Sequence, residues 1–168
     1  SRVFSRIAGM IPAGEDTAAR TRKAVLLRSH QYETVSRSLP RNGERAGYVE
    51  RLLESTGATE VMDVEEVVAA RPEELQTFHS RSFVTALRNA PKLKEEERLR
   101  FGLSDDCSVC ESLLEIVLLE TGGSIQAANL LAQGEYQVAI WWGGGRHHAK
   151  GSVASGYCYA NDAVIAIL

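Results

Sequence analysis

The chain is poor in the features that mark several protein classes. Only three of its 168 residues are cysteine, four are proline and two are methionine, and 7% are aromatic. An odd cysteine count (Cys107, Cys110 and Cys158) argues against a disulfide framework and for a reducing compartment. Cys107 and Cys110 have Cys-x-x-Cys spacing. However, no second ligand pair stands where a zinc knuckle needs one, and no thioredoxin-like strand–turn–helix context surrounds them. No run approaches the roughly 18 apolar residues that cross a bilayer, so no membrane partner is expected. Lys and Arg number 19 against 22 Asp and Glu, for a net charge of −3. That balance gives no basic surface for direct nucleic-acid binding. The N-terminal Ser1–Met10 stretch lacks the apolar core of a leader peptide, and Glu15 and Asp16 follow soon after. The first residue is Ser rather than Met, a hint that the sequence is part of a longer one.

The composition that remains, 44% hydrophobic and 24% charged, is that of one ordinary globular domain. Residues 1–22, rich in Arg, Ser, Thr and Ala, read as an irregular lead-in, and residues 23–168 as the domain proper. Lys23–Arg28 has the length and apolarity of a strand, and Glu60–Val64 is a candidate second strand. Helical spacing runs from Arg45 to Thr56 and stops at Gly57. Pro72 opens a short helix ending near Phe78. Ser80–Arg88 forms another helix with Phe83, Val84 and Leu87 on one side, and Lys92–Arg100 is a solvated charged segment. Val109–Glu120 reads as a buried helix broken by Gly122-Gly123, with Ser124 capping a second helix through Gln133 and Gly134 stopping it. Tyr136–Trp142 reads as a buried strand, and Asn161-Asp162 as the N-cap of a final helix. Helices alternating with few short apolar strands predict an α/β fold with a mainly parallel sheet flanked by helices.

Ligands of open α/β sheets bind at the carboxyl ends of the strands. The loop after Trp142 is such an end, and it holds Gly143-Gly144-Gly145 followed by Arg146, His147 and His148. Three glycines let the backbone bend sharply and approach other groups closely. The loop lacks the Lys-Ser/Thr of a phosphate-binding P-loop and does not open directly into a helix. Adjacent histidines diverge too much to chelate one ion, so the pair suits acid–base chemistry, one imidazole moving a proton while the other tunes charge.

Trp142-Gly-Gly-Gly-Arg-His-His-Ala-Lys150, followed by Ala154-Ser-Gly-Tyr-Cys-Tyr-Ala-Asn-Asp162, resembles the signature of zinc-dependent histone deacetylases, closest to class I. Upstream echoes lie at Arg45-Ala-Gly-Tyr-Val-Glu-Arg-Leu52, Phe78-His-Ser80, Gly102-Leu-Ser-Asp-Asp-Cys107 and Gly122-Gly123. The resemblance covers all but the first twenty or so residues. It implies an arginase/deacetylase-like α/β fold, of which this chain holds the N-terminal part.

The resemblance also implies roles. His148 would be the general base that later protonates the leaving lysine amine, and His147 would stabilise the transition state electrostatically. Asp106 would bind the substrate backbone at the rim. Gly156 and Tyr157 would line the channel that grips the acetyl-lysine stem. Arg45 would support the inner cavity at the channel floor. His79 reads as structural and His30 as exposed. The zinc cofactor would be held by an Asp-x-His and a later Asp, expected beyond Leu168, so no metal ligand is assigned within the chain. Expected partners are acetyl-lysine proteins such as histone tails and corepressor subunits, in the nucleus and also the cytoplasm.

Four residues depart from the family pattern. Arg146 replaces an aromatic or aliphatic residue, Val153 an acidic one, Tyr157 a Phe, and Ser108 the Pro after Asp-Cys. Two further readings stay open: an acetylpolyamine-type amidohydrolase with a constricted entrance, and a non-catalytic product of a truncated gene. The chain alone is expected to hydrolyse nothing and, with an open sheet edge, to be marginally stable.

Overall fold

A computed structural model describes residues 23–40 and 42–168, so the expected lead-in at 1–22 lies outside the described residues. The apolar run after Lys23 forms β1 (Ala24–Arg28) at the centre of a parallel sheet. Val25, Leu26 and Leu27 are fully buried, as consecutive residues must be when helices cover both faces. The sheet order is β2-β1-β3, with β2 at Asp63–Glu66 and β3 at Val138–Ile140. Leu26 sits opposite Val64 on one side and Ile140 on the other.

Both outer strands differ from expectation. Gly57, at φ +71°, turns the chain into a short 3-10 segment over Ala58–Glu60, so β2 starts at Asp63 rather than Glu60. β3 is shorter than the expected Tyr136–Trp142 run, and its residues are half-buried or exposed. Trp141 and Trp142 leave the ladder because their rings pack edge-on against Tyr32, each at 5.5 Å.

The largest correction concerns Gly122-Gly123. These residues do not break a helix; one helix runs unbroken from Leu113 to Ala132. Here we label the helices α1 (His30–Ser36), α2 (Arg45–Ser55), α3 (Pro72–Leu75), α4 (Arg81–Asn89), α5 (Glu95–Arg100), α6 (Leu113–Ala132) and α7 (Asp162–Ile167). The glycines serve packing. A Cβ on Gly122 would come within 2.1 Å of the Val68 carbonyl, and one on Gly123 within 2.6 Å of the Trp141 ring. Segment 68–70 therefore crosses directly over α6, where Ala70 N–H donates to Leu118 O at 2.8 Å. Glycine lowers helix propensity by only about 1 kcal/mol. Leu113, Ile116, Val117 and Leu119, all buried, supply about 1.5–3 kcal/mol each by leaving water, so the helix persists.

The remaining elements follow local rules. Ser29 caps α1, a helix the periodicity did not reveal, and Ser80 caps α4, which buries Phe83, Val84 and Leu87. The charged segment around α5 is largely exposed, as expected. Gly134, at φ +74°, follows α6 and ends it. Asn161 caps α7, its side chain accepting from Val164 N–H, and α7 packs against α6. No described helix is long and apolar enough to cross a membrane.

Candidate active site

The glycine-rich loop leaves β3 and is pinned by one carboxylate. Asp162, 1% exposed, accepts from Gly145 N–H at 2.8 Å, from Arg146 N–H at 2.6 Å and from the Ser124 hydroxyl. The tie explains the small residues around it. A Cβ on Gly144 would come within 2.5 Å of Ser124 Oγ and 2.7 Å of Asp162 Oδ2. Asn161 holds the next stretch: its amide donates to His147 O at 3.3 Å and Ala149 O at 3.1 Å. The backbone N–H of Asn161 donates in turn to Nε2 of buried His79 at 2.9 Å. As an acceptor, Nε2 carries no proton, and burial holds the His79 pKa below its ordinary value, so the ring is neutral. His79 is thus structural, and His30 is exposed beside Glu33.

On this anchored loop His147 and His148 are exposed, with ring centroids 4.2 Å apart. His147 Nδ1 lies 3.0 Å from Gly145 O. A carbonyl can only accept, so Nδ1 carries the hydrogen and a neutral His147 presents Nε2 as a lone pair. Residues 155–158 form a tight turn in which Ser155 and Cys158 exchange backbone hydrogen bonds at 3.0 and 2.9 Å. Both central residues have positive φ, +52° at Gly156 and +65° at Tyr157, the pattern of a type I′ turn. A Cβ on Gly156 would lie 3.0 Å from His148 Cγ, so the turn packs directly on that ring. Tyr157 accepts a conformation that costs a non-glycine residue about 1–2 kcal/mol, and the residue stays 46% exposed beside the histidines' loop.

The rim loop is tied to the same turn. Asp106 is exposed in a 3-10 segment, Asp105–Cys107. The Tyr159 hydroxyl donates to Ser108 O at 2.5 Å, and the Cys107 thiol to Cys158 O at 3.8 Å. Burial pushes the Cys107 thiol up to about 11, so it stays protonated. Ser108, which stands in place of the usual Pro, also donates its hydroxyl to Asp105 O at 3.1 Å.

Beneath the loop lies a group that sequence reasoning noticed only as a departure. Arg146 turns inward and pairs with Glu120 at 2.6 Å, and its Nη2 also donates to the Tyr32 hydroxyl at 2.9 Å. The Tyr32 hydroxyl donates to Glu120 at 2.9 Å, closing a triangle. Burial works against the guanidinium charge, yet Glu120 and Tyr32 outweigh it and raise the Arg146 pKa. Burial pushes the Glu120 carboxyl up to about 7, against the pull of Arg146 and Tyr32. Between the unfolded value near 4.5 and about 7, the folded chain holds a proton that the unfolded chain has released. Stability carried by Glu120 is therefore present below pH 4.5 and is lost as pH rises to about 7. Urea midpoints at pH 5 and pH 7.5 should show this decline in wild type and a flatter profile in Glu120→Gln. Equal pH slopes in the two proteins would refute it.

Two neighbouring cavities share Asn42 and Arg146. The first reaches from Asp106 and Tyr157 to Glu120 and Arg146. The second is lined by Tyr32, Ser36, Arg45, Trp142 and Gly144 as well. The structure thus brings Asp106 and Tyr157 to one cavity and sets Gly156 against His148. Arg45, exposed at the start of α2, joins the other cavity, sharing it with Arg146. The sequence assigns no site role to Asp162, Asn161, Glu120 or Tyr32. Only Asp162 and Asn161 carried a signal, the N-cap dipeptide. Among the described residues no group of three His, Cys, Asp or Glu side chains could hold a metal ion. These residues therefore do not by themselves fit a zinc site.

Comparison with known proteins shows the family. The histone deacetylase domain family matches residues 39–168. Histone deacetylase 8 of Danio rerio is 36% identical over 156 residues, 91% of this chain and 41% of that protein. Histone deacetylase 8 of Xenopus tropicalis is 37% identical over 142 residues, covering 81% and 37%. Histone deacetylase 1 of Homo sapiens is 37% identical over 133 residues, covering 77% and 28%. The chain therefore spans less than half the length of these relatives. With the α/β fold, the histidine loop and the family match in agreement, the chain belongs to the histone deacetylase family, as a class I-like N-terminal portion of the domain.

Proposed function

We propose that this chain supplies the acid–base half of a zinc-dependent protein-lysine deacetylase site. His148 takes the proton from the attacking water and delivers it to the leaving lysine amine. His147, held beside it by the contact of its Nδ1 with Gly145 O, stabilises the charge of the transition state electrostatically. Tyr157 lays its ring along the methylenes of the lysine stem, Gly156 lines the channel with its backbone against His148, and Asp106 accepts hydrogen bonds from the peptide backbone at the rim. Arg45 supports the inner cavity. The observation that carries this reading is the close histidine pair on a loop pinned by Asp162 and packed against Gly156.

Zinc, bound in the complete domain, would polarise the amide; no ligand to it is assigned among the described residues. The substrates are acetylated protein lysines such as those of histone tails, acted on in the nucleus, with corepressor subunits as partners. An exposed Asp106 beside Tyr157 favours a peptide over a small acetylated amine, because a carboxylate at the mouth matches backbone N–H groups. The test compares residues 1–168 with the full-length protein, both with added zinc, on an acetyl-lysine peptide. The expected result is turnover by the full-length protein alone. Turnover by residues 1–168 that disappears in His148→Ala would overturn the division of the site.

A further inference from the structure

The Arg146–Glu120–Tyr32 triangle has no part in the chemistry assigned above, yet it lines the interior next to the histidine loop. Arg146 immediately precedes His147, so its backbone is fixed by Asp162 together with the loop. Its side chain borders both cavities, and one of them also includes Tyr157 and Asp106 of the proposed channel. A chain entering past Tyr157 therefore meets a guanidinium where the family pattern has an apolar side chain.

Two observations show that this guanidinium has capacity left. Its hydrogen bonds to Glu120 and Tyr32 both use Nη2, while its Nε is buried with no partner among the described residues. An unmet N–H of a charged group is costly to leave and is suited to an added acceptor. Of the two cavities, the first carries Asp106 and Glu120 beside Arg146, and the second is lined by two guanidiniums, Arg45 and Arg146, and by no carboxylate, so a terminal carboxylate suits the second. A planar guanidinium pairs with carboxylates through two N–H groups, a geometry an apolar acyl chain cannot use.

We propose that Arg146 is a specificity-determining residue that admits acyl-lysines whose acyl chain ends in a carboxylate, such as succinyl-lysine. This inference rests on the deacylase reading above. The reaction is the same hydrolysis. The acyl carbon–nitrogen bond breaks, water oxygen bonds to the acyl carbon, and the lysine amine takes a proton. The released acid then carries two carboxyl groups, one of them on Arg146.

The experiment uses the zinc-loaded full-length protein and one peptide carrying acetyl-, butyryl- or succinyl-lysine. Butyryl and succinyl have equal chain length, so their ratio isolates the terminal carboxylate. Wild type is expected to favour succinyl over butyryl about ten- to a hundredfold in kcat/KM, the worth of a charge-assisted bond. Arg146→Leu combined with Glu120→Leu avoids a stranded buried carboxylate and should invert that ratio. Peptide anisotropy supplies a readout independent of turnover, with wild type binding the succinyl peptide more tightly than the butyryl one. Preference for butyryl in wild-type turnover or binding, or an unchanged ratio in the double variant, would overturn the inference. Acetyl-lysine turnover without succinyl preference sinks only this inference, whereas binding preference without turnover of any peptide sinks the deacylase reading instead.

Discussion

Asp162→Ala is expected to destabilise the domain by about 3–5 kcal/mol, because one buried carboxylate satisfies two backbone N–H groups and a hydroxyl at once. Removing it strands the Gly145 and Arg146 N–H groups in a loop with three glycines and little stiffness of its own. The histidines then lose their support, so activity should fall further than stability alone requires. Asp162→Asn retains one oxygen for the loop and should lose roughly half as much stability. Urea unfolding of the full-length variants measures both values, and a loss below about 1 kcal/mol for the alanine variant would show that the loop is held by something else.

His148→Ala should lower kcat by about 10²–10⁴-fold, the range for losing a positioned general acid–base group. Substrate binding should change little, since the proposed grip on the lysine stem and backbone comes from Tyr157 and Asp106. His147→Ala removes an electrostatic partner and should lower kcat by about 10²-fold. A rise in KM at unchanged kcat in His148→Ala would assign that ring to binding rather than proton transfer.

The parts of the fold visible in the sequence are those governed by neighbours along the chain. The Asn161 cap, the helix that follows Ser80 and the apolar run of β1 each follow from a few consecutive residues. Gly122-Gly123 misled because glycine has two uses, breaking a helix and admitting a close neighbour, and only the position of segment 68–70 and Trp141 distinguishes them. The sequence makes β3 look longer than Val138–Ile140 for a related reason. Apolar Trp141 and Trp142 look like strand residues, but Tyr32 draws their rings out of the ladder.

The histidine pair was conspicuous because its motif is contiguous. Its supports were hidden because they come from distant segments. Asp162 reads locally as a helix cap, and nothing in the sequence directs its carboxylate to the Gly145 and Arg146 amides. Arg146 reads locally as an anomaly. Its explanation, Glu120 on α6 and Tyr32 on α1, exists only once β3 places the loop between those helices.

The central claim is that this histidine loop serves hydrolysis of acetylated protein lysines. Its most direct test is acetate release by the zinc-loaded full-length protein, measured in parallel on an acetyl-lysine histone-tail peptide and on an acetylated polyamine. The account predicts acetate in step with deacetylated peptide and little from the polyamine. Acetate from the polyamine with the peptide untouched, or none from either, would contradict it.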